Sequence, residues 1–159
     1  EVETRQIPGH WEGDLIIGAL GGSAIATLVE RTTRFVMLAH LGRERNAEAL
    51  RDSLITTVRH LPASFRQSLT WDQGAEMAEH RVFSVATNFD VYFADPGSPW
   101  QRGSNENTNG LLRQFFPAGT HFNKVSRGEI KRVQALLNNR PRKILNWHSP
   151  AHAFHHLLR

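Results

Sequence analysis

The chain contains no cysteine. Disulfides, thiolate metal sites and a cysteine nucleophile are therefore excluded, which leaves oxygen and imidazole as the strong metal ligands. The sequence also lacks an apolar run near 18 residues and a signal-peptide pattern, so nothing indicates membrane insertion or export. We expect a cytoplasmic protein with no membrane partner.

Lysine is scarce, because 16 of the 19 basic residues are arginine. The planar guanidinium group of arginine binds phosphate through two parallel hydrogen bonds. From Lys124 to Lys143 the sequence has seven basic residues and one acidic residue, Glu129. This run predicts a surface for the DNA backbone, and a solvated helix face without DNA remains an equal alternative.

Five segments rich in β-branched and apolar residues predict strands. The segments are Trp11 to Ala19, Ala24 to Glu30, Phe35 to Leu41, Gln67 to Asp72 and Val91 to Ala94. Helices are predicted from Asn46 to Pro62, from about Ala75 to Ala86, from Ser126 to Asn139 and from Pro150 to Leu158. This order of elements is typical of an α/β, ribonuclease-H-like fold, with a mixed five-stranded sheet flanked by helices.

A further helix carries Glu106, and its start is ambiguous. Ser98 followed by Pro99 has the form of a helix cap, whereas Ser104 would begin the helix later. We favour Ser104, with a mobile loop from Pro96 to Gly103. On this helix Leu111, Leu112 and Phe115 form one stripe, opposite to the side of Glu106.

Three acidic residues, Asp14, Asp72 and Glu106, stand in settings suited to chemistry. Asp14 lies inside a predicted strand, Asp72 ends another, and Glu106 lies near the start of a helix. Carboxylates on rigid elements can hold two hard divalent cations about 3.5–4 Å apart, as in-line displacement at phosphorus requires. For a lone Glu the ordinary interpretation is a solvated helix residue, but the matching Asp residues and flanking sequences favour a catalytic role.

Those flanking sequences resemble a known family. Gly-His-Trp-Glu-Gly-Asp around the first acid, Thr-Trp-Asp-Gln-Gly around the second and Ser-Pro-Trp-Gln-Arg-Gly-Ser-Asn-Glu-Asn-Thr-Asn-Gly around the third are similar to the catalytic core of bacterial DDE transposases, in particular the insertion-sequence-thirty family. Residues 137–150 also resemble the closing segment of integrase-type cores. We therefore expect one integrase-type catalytic domain over residues 1–159. Because the chain begins at Glu1, we expect a fragment of a longer transposase, whose N-terminal DNA-recognition region lies outside it.

The resemblance implies that Asp14, Asp72 and Glu106 are both catalytic residues and metal ligands. It implies two Mg²⁺ ions per site, with Mn²⁺ as a substitute, and phosphodiester hydrolysis followed by strand transfer at insertion-sequence ends. The implied partners are the transposon ends and target DNA, within a homo-oligomeric complex associated with the bacterial nucleoid. Two alternatives stay open: a non-catalytic DNA-binding or oligomerisation module, and a purely hydrolytic nuclease of the same fold.

Several basic and polar residues are predicted to contact DNA. By resemblance Arg113, seven residues after Glu106, contacts the end of the mobile element, and Asn109 shares that side of the helix. The other predicted contacts are Arg102, Lys124, Arg127 and Lys131.

Glu12 and Glu30 match no catalytic position of the family, and we expect them at the surface or behind the site. The histidines near the C-terminus, including His152 and His156, are interpreted as a surface cluster in preference to a metal site.

Overall fold

The structure is a computed structural model, and it describes residues 7–71, 74, 76–94 and 103–158, without the side chains of residues 103–106. Within this part of the chain, no helix is long and apolar enough to cross a membrane. The turn at residues 95–97, most of the loop expected from Pro96 to Gly103, and the alternative helix start at Ser98 lie outside the described residues.

Five strands form one mixed sheet. They are β1 (His10–Ile17), β2 (Ala24–Glu30), β3 (Val36–His40), β4 (Ser68–Trp71) and β5 (Asp90–Phe93). The strand order is β3-β2-β1-β4-β5. β1, β2 and β3 run antiparallel as a meander, whereas β4 and β5 are parallel to β1. The predicted fold class, a five-stranded mixed sheet with flanking helices, is confirmed.

In the described part of the chain, five α-helices accompany the sheet. They are α1 (Ala47–Val58), α2 (His80–Thr87), α3 (Gly103–Leu112), α4 (Arg127–Asn138) and α5 (Pro150–Leu157). The described part of α3 begins at Gly103, directly after residues that lie outside the described part of the chain, so the choice between the two predicted starts stays a prediction.

Side-chain caps explain why three of these helices begin where the sequence predicts. Asn46 accepts a hydrogen bond from the backbone N–H of Ala49 at the start of α1. Ser126 and Ser149 cap α4 and α5 in the same way. Each cap satisfies one of the N–H groups that have no partner inside the helix.

The predicted start of α2 at about Ala75 is wrong, because the helix begins at His80. The preceding residues form turns, in which Met77 is buried and accepts a hydrogen bond from the backbone N–H of His80. Glu76 accepts a hydrogen bond from the Trp71 indole at 2.9 Å, so its side chain is engaged with β4. Tertiary contacts at Glu76 and Met77 thus override the local helix pattern.

The sheet separates two hydrophobic clusters. One face packs under α1, α2 and α5, and its largest buried side chains are Trp11, Trp71, Phe65 and Phe83. The other face packs under α3 and α4 through Ile16, Val36, Leu112, Phe122 and Val133. Because side chains alternate along a strand, each residue of β1 is assigned to one of these two layers.

Two glutamates expected at the surface or behind the site are in fact fully buried. Glu30 accepts hydrogen bonds from the backbone N–H groups of Gly9, Thr32 and Thr33 and from the Thr33 hydroxyl. Glu12 forms an ion pair with Arg31 at 3.0 Å. The surface interpretation was therefore wrong. A buried carboxylate requires hydrogen bonds or an opposite charge. Glu30 has the hydrogen bonds, and Glu12 has the opposite charge of Arg31.

Candidate active site

Asp14 lies near the middle of the sheet, on β1, between β2 and β4. Its carboxylate accepts a hydrogen bond at each oxygen. The backbone N–H of Leu15 donates to Oδ1 at 2.8 Å, and the side-chain amide of Asn109 donates to Oδ2 at 3.1 Å. The Asp14 side chain therefore has a defined orientation toward the α3 side of the sheet.

Thr27 completes this group from the neighbouring strand. It lies directly opposite Asp14 in the antiparallel register of β1 and β2, and it is fully buried. Its hydroxyl lies 3.3 Å from Oδ1 of Asn109 and 3.4 Å from the backbone oxygen of Asp14. Sequence reasoning missed Thr27. The one available signal was a hydroxyl side chain within the otherwise apolar run Ala-Ile-Ala-Thr-Leu-Val.

α3 is fixed against the sheet by apolar and polar contacts. The predicted apolar stripe is confirmed, since Leu112 is fully buried and Leu111 and Phe115 pack against the same cluster. At the end of the helix, the Arg113 guanidinium donates to the carbonyl oxygens of Ile17 at 3.0 Å and Phe116 at 3.3 Å. Arg113 thus anchors α3 to the last residue of β1, and its DNA contact remains a prediction.

Two elements that adjoin Asp14 lead to the other two predicted acids. Asp72 itself lies outside the described residues, and it directly follows Trp71, the last residue of β4. Glu106 lies on α3, one turn before Asn109, and its side chain is not described. The two elements that lead to these acids therefore pack beside the strand that carries Asp14.

A glycine in β1 permits the close packing of β1 and β4. A Cβ atom at Gly13 would overlap the indole ring of Trp71 and would meet Cδ1 of Leu69 at 3.0 Å. Trp71 is fully buried, so its ring has no room to move aside. Position 13, just before Asp14, therefore has to be glycine for the Trp71 ring, just before Asp72, to pack against β1.

Three of the predicted DNA-contacting residues lie on α4 or just before it. Lys124 ends a 3₁₀ turn, and Arg127 and Lys131 lie one turn apart on α4; all three are exposed. Arg102 lies outside the described residues.

A cavity of about 650 Å³ runs between α1 and α4 along the outer edge of β3. Its lining includes Arg59 and His60 from the end of α1, opposite Arg127 and Lys131. Asp52 is the one carboxylate of the lining, and Arg51 donates to it at 2.8 Å, which lowers its pKa. The groove is therefore predominantly basic.

Glu129 pairs with one of the two arginines of α4, Arg132, and not with the other, Arg127. Arg132 donates two hydrogen bonds to this carboxylate at 2.7 and 2.8 Å, and these bonds lower the pKa of Glu129. No carboxylate among the residues that the structure describes forms an ion pair with Lys124, Arg127 or Lys131. These three cations remain available to an external anion.

The C-terminal histidines form no metal centre in the described part of the chain. The rings of His148 and His152 stack with their centroids 4.4 Å apart. No group of three or more His, Cys, Asp or Glu within the described residues could hold a metal ion. His148, His152, His155 and His156 are all exposed, so the predicted surface position of this cluster is confirmed.

The meander β1-β2-β3, extended in parallel by β4 and β5 and covered by helices on both faces, defines a ribonuclease-H-like α/β domain. A family model described as the integrase core domain matches residues 5–99. The chain belongs to the integrase core family.

Similar proteins include transposases over nearly the whole chain. The transposase for insertion sequence element IS1086 of Cupriavidus metallidurans is 53% identical over 150 residues, which are 94% of this chain and 44% of that protein. Transposase InsI for insertion sequence element IS30A of Escherichia coli is 47% identical over 149 residues, or 94% of this chain and 38% of that protein. The chain spans less than half the length of either relative, and the resemblance to the insertion-sequence-thirty family is confirmed.

A solved structure gives independent support for the fold. One chain in the cryo-EM structure of the simian T-cell lymphotropic virus intasome, in complex with PP2A regulatory subunit B56 gamma, superposes with a TM-score of 0.62. The match covers 83% of this chain and 49% of that chain at 19% sequence identity. The similarity concerns the fold alone.

Proposed function

We propose that this chain is the catalytic core of a metal-dependent DDE transposase that performs phosphodiester hydrolysis and strand transfer at insertion-sequence ends. The observation that carries the proposal is the position of Asp14. Asp14 lies on a central strand, and two donors fix its carboxylate. One donor, Leu15, is on the same strand, and the other, Asn109, is on α3, the helix that carries Glu106. The 53% and 47% identical transposases support the same activity.

The residues present fit a pair of hard divalent cations. Asp14, Asp72 and Glu106 would supply oxygen ligands, which Mg²⁺ and its substitute Mn²⁺ prefer. Both described donors to the Asp14 carboxylate are N–H groups, a typical arrangement around a ligating carboxylate. When bound, the two ions supply a polarised attacking oxygen and a stabilised leaving oxygen. The chain itself contributes the Asp14 carboxylate in a fixed orientation, so that little reorganisation of this ligand accompanies the reaction.

The exposed cations provide a surface for the DNA backbone. Lys124, Arg127 and Lys131 have no described carboxylate partner, and Arg59 extends this surface across the groove beside β3. Contacts between such cations and phosphates release counterions, so we expect DNA affinity to fall steeply with salt. A complex of several copies of the chain on DNA is part of the proposal, and light scattering with end DNA would detect it.

The test compares the parent chain with Asp14→Asn, Asp72→Asn and Glu106→Gln on duplexes that carry the terminal sequence of its own insertion sequence. Asp90→Asn is the matched control, because Asp90 is exposed and pairs with Ser68 at the start of β4, at the other end of that strand from Trp71. With Mg²⁺ or Mn²⁺ we expect end nicking, and strand transfer when the ends are cut beforehand. Each of the three site variants should lose both reactions, by at least about 10³-fold.

Other outcomes separate the alternatives. Nicking without strand transfer from precut ends would indicate a hydrolytic nuclease. DNA binding with neither reaction would indicate a binding or oligomerisation module. Full activity in any of the three carboxylate variants would refute the assignment of that residue.

A further inference from the structure

The side-chain amide of Asn109 joins three elements at the candidate site. It lies on α3, donates to Asp14 on β1, and contacts the hydroxyl of Thr27 on β2. The residues joined are separated by 95 and 82 positions in the sequence. Asn109 is half-buried and Thr27 is fully buried, so these contacts are partly shielded from water.

The chemistry of the partners fixes the orientation of this amide. An ionised carboxylate accepts hydrogen bonds and cannot donate them, so the NH₂ group of Asn109 must face Asp14. Its carbonyl oxygen then faces the Thr27 hydroxyl at 3.3 Å, and that hydroxyl shares its one proton between this oxygen and the backbone oxygen of Asp14, 3.4 Å away. The amide is thus held at both ends. One donor from Leu15 and one from Asn109 fix the two oxygens of the Asp14 carboxylate.

We infer that Asn109 is a positioning residue, which holds Asp14 in its ligating orientation before metal or DNA is bound. The inference rests on the proposed function, because it takes Asp14 as a metal ligand. Asn109 follows Glu106 by one helical turn, so the same hydrogen bond also links β1 to the part of α3 that carries Glu106. Thr27 acts behind Asn109 by orienting its amide.

This role differs from the DNA contact predicted for Asn109 from the sequence. A positioning residue affects metal affinity, and a DNA contact affects DNA affinity. Removal of a partner that orients a metal ligand typically weakens metal binding about 10- to 100-fold. The geometry points to the first effect, because the polar atoms of the Asn109 side chain already face Asp14 and Thr27.

The experiment measures Mn²⁺ binding to the 159-residue chain by electron paramagnetic resonance, and binding to duplex DNA by fluorescence anisotropy without divalent metal. Asn109→Leu keeps the approximate size of the side chain but removes its donor. We expect its Kd for Mn²⁺ to rise about 10-fold or more, with DNA affinity within twofold of the parent. Gln114→Leu is the matched control, because it removes an amide from an exposed position just after α3 and should change neither constant.

Thr27 provides a second test if Asn109→Leu fails to fold. Thr27→Val removes the hydroxyl and should raise the Kd for Mn²⁺ about 2- to 10-fold, the equivalent of one neutral hydrogen bond. Thr27→Ser retains the hydroxyl and should restore the parent value. Circular dichroism checks that each variant is folded.

Three results would overturn the inference: loss of DNA affinity in Asn109→Leu with unchanged Mn²⁺ binding, no change in either constant, or a parent chain that binds no Mn²⁺ without DNA. Asp14→Asn separates this inference from the proposed function. If that variant binds Mn²⁺ as the parent does, the metal role of Asp14 fails. If it loses Mn²⁺ while Asn109→Leu does not, only the role of Asn109 fails.

Discussion

Replacement of Glu30 by glutamine tests how the fold holds the strands beneath the site. The Glu30 carboxylate is fully buried at the end of β2. Oε1 accepts from the Thr32 N–H, the Thr33 N–H and the Thr33 hydroxyl at 3.1, 2.7 and 2.7 Å, and Oε2 accepts from the Gly9 N–H at 3.0 Å. The last bond fixes the chain just before β1, which carries Asp14.

The cost of this substitution follows from the four hydrogen bonds. A glutamine can keep its oxygen toward the two threonines, but its NH₂ group then faces the Gly9 N–H, and a buried donor without a partner costs about 1–3 kcal/mol. The three remaining bonds lose their charge assistance, which costs about 1–2 kcal/mol more, whereas removal of a buried charge offsets part of this loss. We expect Glu30→Gln to lower the free energy of unfolding by about 3 kcal/mol.

Urea unfolding followed by circular dichroism would measure this loss, and the melting temperature of a domain of this size should fall by roughly 6–12 °C. Glu44→Gln is the control, because Glu44 is exposed and should change stability by less than about 0.5 kcal/mol. Equal stability of the two variants would refute the reasoning, since Glu30 would then behave as a surface residue, which is one of the two positions that the sequence suggested.

Two further predictions concern the elements around the site. Gly13→Ala places a Cβ atom against the Trp71 ring, and we expect it to lower the free energy of unfolding in urea by at least about 1–3 kcal/mol and to reduce DNA cleavage. Parent values of both quantities would contradict the close packing of β1 and β4. Arg113→Met should lower stability by about 1–3 kcal/mol, because the carbonyl of Ile17 loses its donor, whereas the exposed Arg127→Met should spare stability and reduce DNA affinity. A stable Arg113→Met that only loses end-DNA affinity would show that Arg113 acts mainly on DNA.

Local sequence determined most of the elements. Asn46, Ser126 and Ser149 supply caps through atoms three residues away, so the starts of α1, α4 and α5 are encoded within one helical turn. The β-branched and apolar composition of two local segments likewise predicted β1 and β2. The resemblance in the motif around Asp14 was equally local, and it identified the family because those residues are adjacent in the chain.

Tertiary structure decided the contacts between these elements. The ion pair of Glu12 with Arg31, the hydrogen bond from Gly9 to Glu30 and the partnership of Asn109 with Asp14 and Thr27 all join residues far apart in sequence. Spacing along one strand or helix contains no information on which side chain of another element lies opposite. The sequence by itself therefore determined the candidate acids and the order of the elements. Only the packed sheet decided that Asn109 orients Asp14, because hydrogen bonds form between atoms that folding brings within about 3 Å.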